Sequence, residues 1–326
     1  MCFINARHVY VEISGGTIVD FKFLALTSAI LPVVFVSSFS FMPETPVYLY
    51  TKGRVQEARN SLAYFRGRTY SLDDELAKIA EDIGEAASNK AKLSDLISCK
   101  ATMNGLIISL GLMAFQQLSG INSVLFYAGN IFAETGSSMS PEASAVLVGT
   151  VLVIATLLST VLIDRTGRKI LLFVSALVMC VCLVTLGVYF HLEQTRDLAY
   201  LSILPLVCLA VFIVAFSIGL GPIPWIMLGE IFTPKSKGIA SSISAASNWI
   251  LAFTVTNQFQ NMKDHFGIGV TFLIFGCISG IGTIFVGLLV PETRGKDIDQ
   301  VQNLLLSNTP LNCKPCRRNG HEEINC

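Results

Sequence analysis

The chain leaves its last apolar stretch with LVPETRGK, Leu289 to Lys296, and nearly the same words occur near its start in FMPETPVYLYTKGR, Phe41 to Arg54. Pro-Glu alone is an ordinary helix stop, because proline cannot continue a helix and the charge meets the headgroups. A shared Pro-Glu-Thr followed by Gly and a base asks for more than a stop. A window of about 20 residues, the length that crosses roughly 30 Å of hydrocarbon, finds seven apolar segments, near 23–42, 103–127, 143–163, 170–190, 200–229, 239–257 and 269–290. The first ends at the first phrase and the other six lie between the two. The pattern predicts a unit of six spans ending in this phrase, with the first span here closing an earlier, truncated copy.

Composition agrees with that reading. Of 326 residues, 52% are hydrophobic and 14% charged, with a mean hydropathy of +0.61, which predicts an all-α membrane protein. The formal net charge is zero, so no nucleic-acid partner is expected. Of the 23 Lys and Arg residues, 19 lie in 43–102, 164–169, 233–238 and 291–326. Positive charge is retained on the cytoplasmic side, so 43–102 and the tail 291–326 are expected there, with residue 1 outside. Between the first two spans, Leu76, Ile79 and Ile83 step at helical spacing within a polar stretch, which predicts short amphipathic helices on one membrane face. Residues 1–22 lack the charged start, apolar core and cleavage site of a signal peptide, leaving the first span as anchor. The bundle proper is 103–290.

Three polar stretches interrupt the apolar segments. AFQQLSGINSVLFY, Ala114 to Tyr127, carries Gln116, Gln117, Ser119 and Asn122 where lipid cannot satisfy them. At about 100° per residue, Gln116 and Ser119 share a face, while Gln117 is turned by about 100° and Asn122 by about 240°. A helix unwound at Gly120 would let the amides converge. Two readings stand: amides that bind helix to helix, and amides that meet a polyol, whose hydroxyls both donate and accept as an amide does.

SIGLGPIPWIMLGEIF, Ser217 to Phe232, sets Gly219, Gly221, Pro222 and Pro224 within six positions, which predicts a broken helix. Trp225 beside it offers a flat apolar face for a sugar ring, or an interfacial anchor. DRTGRK, Asp164 to Lys169, makes a tight basic turn between two spans.

QQLSGIN, DRTGRK, GPIPWIMLGEIF, SNW and PETRGK, in that order, resemble the second half of the sugar porter family of the major facilitator superfamily, across roughly residues 23–300. PETPVYLYTKGR is most similar to the wording of insect facilitated trehalose transporters. The resemblance implies a fold of twelve spans in two six-span halves, of which this chain holds the last span of the N-terminal half and the whole C-terminal half, so that five spans are expected to be missing. It implies facilitative transport of a neutral sugar, trehalose or a hexose, by alternating access, at a plasma membrane. At the matching positions it makes Gln116, Gln117, Asn122, Trp225 and Asn248 sugar contacts and Phe126, Tyr127, Gly221, Pro222 and Pro224 gating residues. Glu44, Asp164, Arg165, Arg168, Glu230 and Glu292 become a cytoplasmic charge network. Leu152, Ser217 and Ala252 depart from the family's Asn, Glu and Asn, and Leu125 replaces a common aromatic; a roomier pocket for a disaccharide is one reading and idle divergence the other.

The expected partners are the sugar, the bilayer and an N-terminal half that completes the cavity. No cofactor or resident metal is expected. Cys313, Cys316, His321 and Cys326 have C-x2-C-x4-H-x4-C spacing that suits zinc, against an unstructured or lipidated tail. Histidines at 8, 191, 265 and 321 are scattered, without a catalytic motif, so an enzyme is not expected. A half-transporter that binds without moving sugar, and a seven-span receptor, are the competing readings.

Overall fold

The computed structural model describes residues 21–67, 71–88, 100–125, 141–193, 201 and 203–307, and every regular element among them is a helix. In order these are α1 (Phe21–Phe39), α2 (Pro46–Thr51), α3 (Val55–Arg66), α4 (Leu72–Ser88), α5 (Lys100–Leu118), α6 (Pro141–Thr166), α7 (Arg168–Glu193), α8 (Ile203–Ile218), α9 (Ile223–Ile231), α10 (Pro234–Leu289) and α11 (Ile298–Ser307). Each of the seven apolar segments contains helix among its described residues, the one at 200–229 being divided between α8 and α9. Four stretches, Lys100–Leu125, Arg168–Glu193, Ile203–Ile231 and Pro234–Leu289, are long and apolar enough to cross a membrane, and Gly149–Ile163 is a shorter apolar run. At 1.5 Å per residue the 56 residues of α10 extend about 84 Å, more than twice the hydrocarbon thickness. Gly267, at φ 79°, breaks α10 between the segments expected at 239–257 and 269–290.

The core forms where α7 packs on α10 and α8, α10 on α5, and α8 on α6, with Leu112, Met113, Leu172, Met179, Phe212, Phe259 and Phe272 fully buried. Small residues allow close approach between α7 and α10: a Cβ on Gly269 would stand 3.0 Å from the Gly187 carbonyl oxygen. The short helices α2 to α4 hold a separate small core of Leu49, Ala58, Leu62 and Leu76. Ser61 Oγ donates to the Glu44 carbonyl at 2.5 Å, and exposed pairs Arg59–Asp73 and Arg66–Glu75 join α3 to α4. Such exposed pairs contribute about 0–1 kcal/mol each, so the apolar contacts carry this unit. By contrast the described apolar side chains of α1 are uncovered, with Val33, Phe35 and Phe39 62–64% exposed.

Candidate binding site and cytoplasmic rim

The site begins with two interrupted helices. After α5 the chain turns at Ser119 and Gly120, then continues as helix to Leu125. Gly120 has φ +77°, a conformation L residues resist, and a Cβ there would stand 2.6 Å from the Phe275 ring. Its N–H bonds the Gln117 carbonyl, three residues back, and the Gln116 carbonyl left over is taken by Ser119 Oγ at 2.8 Å. The expected break at Gly120 is present.

The second interruption separates α8 from α9 at 219–222. Pro222 and Pro224 lack the N–H groups that a continuous helix would send to the carbonyls of Ile218 and Leu220. Both carbonyls find side chains from other helices. Ser159 Oγ of α6 donates to Ile218 O at 3.2 Å, and Gln116 Nε2 of α5 donates to Leu220 O and to Gly221 O at 2.8 Å each. From α7, Ser175 Oγ donates to Ala215 O at 2.7 Å and accepts the Leu220 N–H at 3.1 Å. Gly219 makes room for it, since a Cβ there would meet Ser175 Cβ at 2.3 Å. Three helices thus hold one four-residue break.

From Gln116 the amides run on in a chain. Asn248 Nδ2 donates to Gln116 Oε1 at 2.7 Å, Gln117 Nε2 to Asn248 Oδ1 at 3.0 Å, and Asn122 Nδ2 to Gln117 Oε1 at 2.6 Å. Gln116, Gln117 and Asn248 are 3, 7 and 2% exposed, and Asn122 is half-buried. The structure therefore brings four of the five expected sugar contacts together and bonds them to one another. The bonds of Gln116 and Gln117 to Asn248 run between α5 and α10. Trp225 is half-buried at the start of α9, packed against the core, whereas Trp249 is 59% exposed. Leu152 packs against the core, Ser217 turns its hydroxyl back on Ile213 O at 2.8 Å, and Ala252 is buried. Phe126 and Tyr127 lie outside the described residues, as do Cys313, Cys316, His321 and Cys326.

Around the start of α7 the chemistry changes to charge. Gly167, at φ +100°, turns the chain so that the Arg168 and Lys169 N–H groups point at Glu292, donating to its Oε1 at 3.0 Å and Oε2 at 3.1 Å. A helix N-terminus favours an anion there. Burial opposes ionisation of Glu292, but the backbone N–H groups of Arg294, Arg168, Lys169 and Thr293 outweigh it and hold the carboxyl below its ordinary value. Arg168 Nη2 pairs with Glu230 Oε1 at 3.1 Å, Thr293 Oγ1 donates to Glu230 Oε2, and Arg294 Nη1 reaches the Arg165 carbonyl. Arg168, Glu230 and Glu292 thus meet, while Arg165 contributes its backbone and the Asp164 side chain lies outside the described residues. Glu44 does not join them: its side chain is exposed, and Ser61 bonds its backbone. The repeated phrase is an echo of words and not of contacts, since Thr45 caps α2 whereas Thr293 binds Glu230.

Sequence reasoning missed Ser159, Ser175 and Thr293. The two prolines did announce two free carbonyls; nothing in the sequence said which hydroxyl or amide would reach them.

The family model for sugar (and other) transporters matches residues 5–305. The chain belongs to this sugar transporter family and is an integral membrane protein. It is 40% identical over 295 residues to the facilitated trehalose transporter Tret1 of Bombyx mori, covering 90% of this chain and 58% of that one. It is 41% identical over 296 residues to Tret1 of Anopheles gambiae, covering 90% and 37%. The chain thus spans little more than half, or less, of the curated relatives it matches. Its fold is similar to that of the proton:xylose symporter XylE bound to 6-bromo-6-deoxy-D-glucose, with a TM-score of 0.72 and 25% identity over 93% of this chain and 64% of that one. XylE is a major facilitator superfamily protein, and these relatives are transporters, not enzymes.

Proposed function

We propose that the chain, joined to the part of its relatives that it does not span, carries a neutral sugar, trehalose or a hexose, down its gradient by alternating access. The observation that carries this reading is the chain of four amides between two helix breaks, at the positions the family resemblance marks for sugar. Gln116, Gln117, Asn122 and Asn248 contact the sugar, with Trp225 against its ring, and sugar hydroxyls take over some of the bonds the amides now make to one another. No charge is needed in such a site, because a hydroxyl pairs with an amide in both senses. The breaks at Gly120 and at Gly221, Pro222 and Pro224, with Phe126 and Tyr127, gate access. Asp164, Arg165, Arg168, Glu230 and Glu292 hold the cytoplasmic side closed in one state, and ion pairs that break and reform suit a two-state switch. Seven spans put the tail 291–326 in the cytoplasm of a plasma-membrane protein, which the Lys and Arg asymmetry supports.

Uptake of labelled trehalose and glucose into proteoliposomes tests this. The completed protein should carry at least one of them, and Gln116→Ala with Gln117→Ala should abolish the flux; undiminished flux in that variant overturns the assigned site. A second reading, a half-transporter that binds sugar without moving it, draws on the uncovered apolar side chains of α1. It predicts binding by the 326-residue chain with no uptake.

A further inference from the structure

The geometry points to Pro224 as the residue that sets the hydrogen-bond polarity of the amide chain, so that its open end at Asn122 accepts a bond and selects a sugar hydroxyl that donates. This rests on the reading of the four amides as sugar contacts and adds the sense in which a sugar must meet them.

The two ends of an amide are alike in shape and opposite in chemistry, so an isolated chain of amides has no inherent direction. Here one end is anchored. The Leu220 carbonyl is free because residue 224 is proline, and a carbonyl can only accept. Gln116 must therefore present its NH2 group, and it does so to Leu220 and Gly221 together at 2.8 Å, which uses both of its N–H donors. Its Oε1 is left as an acceptor, so Asn248 must offer NH2, and the 2.7 Å bond follows. Asn248 spends its other N–H on Met113 Sδ at 3.3 Å, which leaves Oδ1 as its acceptor. Gln117 and then Asn122 are turned by the same rule, each donating to the one before. Every bond points the same way, and bonds so aligned polarise one another. At the far end Asn122 keeps Oδ1, which makes no hydrogen bond among the described residues and belongs to a half-buried side chain. Asn122 is thus the place where a hydroxyl hydrogen would extend the chain.

The neighbouring proline serves as an internal contrast. Pro222 frees the Ile218 carbonyl in the same way, but that carbonyl binds Ser159 Oγ, which has no link to the amides. Of the two carbonyls that prolines free, only the one at Leu220 meets the amide chain, and the neighbouring Gly221 carbonyl anchors the same NH2 group.

Fluorine can weakly accept but never donate, so monodeoxyfluoro and monodeoxy sugars separate the two roles of a hydroxyl. Binding of glucose, trehalose and both analogue series to the completed protein in lipid nanodiscs would be followed by calorimetry. At one hydroxyl position, fluorine and hydrogen should weaken binding equally, by about three- to tenfold, the worth of one neutral hydrogen bond. Asn122→Ala should abolish that penalty. Pro224→Ala returns an N–H to the Leu220 carbonyl, leaves Gln116 anchored by the Gly221 carbonyl alone and should shrink the penalty, whereas Ser159→Ala should leave it unchanged. Each penalty is a ratio within one variant, so a general loss of affinity does not disturb it. If fluorine replaces hydroxyl without loss at every position, if Asn122→Ala keeps the penalty, or if Ser159→Ala removes it, the assigned polarity is wrong. A completed wild-type protein that binds neither parent sugar instead removes the sugar-site reading, and this inference with it.

Discussion

Within the bundle the polar atoms are neutral and proline creates their anchor; at the rim they are charged and glycine creates theirs. Pro224 strips a helix of a donor and leaves a carbonyl that recruits an amide. Gly167 turns the chain so that two N–H groups stand free and recruit a carboxylate. Exposure explains the division. Gln116 and Asn248 are 3 and 2% exposed, where an ion would cost several kcal/mol, while the Arg168 and Glu230 side chains are 15 and 27% exposed. Both devices use an irregular backbone to tie helices together, and depth decides which sign of orphan group is worth making.

The sharpest break in this comparison is at the rim. A Cβ on Gly167 would stand 2.8 Å from Glu292 Oε2, on a backbone at φ +100°. Gly167→Val therefore meets left-handed strain of about 1–3 kcal/mol and loses charge-assisted bonds worth about 1.5–3 kcal/mol. The variant should melt far below wild type in detergent; an unchanged melting temperature would mean that the glycine does not shape the anion site.

Gln116→Leu comes next. It removes the donor from two carbonyls and the acceptor from Asn248, three bonds in all. At the value of about 0.6 kcal/mol measured for hydrogen bonds between membrane helices, up to about 1.5 in water-soluble proteins, the loss is roughly 2–4 kcal/mol, partly offset by the apolar replacement. If stability holds while the amides loosen, the chain serves the ligand more than the fold.

Acid distinguishes the two regions more gently, because only the rim titrates. The folded-state carboxyl of Glu292 lies below its ordinary value of 4.5, so its contribution is fully present above that pH and is lost as pH falls through the folded value. Wild type should lose more stability than Glu292→Gln between pH 6 and pH 3.5. Parallel losses would show that the bonds from Arg168, Lys169 and Arg294 do not favour the ionised form.

What could be read from sequence follows the same line between local and distant causes. The breaks at Gly120 and at 219–222 were legible because a left-handed glycine and a missing proline N–H act within one turn of their own residue. That Gln116 and Asn122 converge was legible only as a need, since at fixed helical spacing they could not share a face. That they are linked through Gln117 and Asn248 depends on how α5 and α10 are rotated, which no local spacing contains. Glu44 misled for the complementary reason: an identical phrase gives an identical helix stop, but its partners come from whatever packs beside it, and beside Glu44 that is Ser61.

Ser159→Ala carries the smallest expected effect and separates structure from ligand most cleanly. It removes the hydroxyl that satisfies the carbonyl freed by Pro222 and leaves every amide bond in place. Ser159 is 2% exposed, so water does not readily replace it, and the stability loss should be about 0.6–1 kcal/mol. Because Ser175 still holds Leu220 N–H and Ala215 O, the break itself should persist. Thermal melting should register the change. If Ser159→Ala instead weakened sugar affinity as strongly as Gln116→Leu, the two freed carbonyls would form one coupled unit, and the division between a bracing proline and an orienting proline would have to be abandoned.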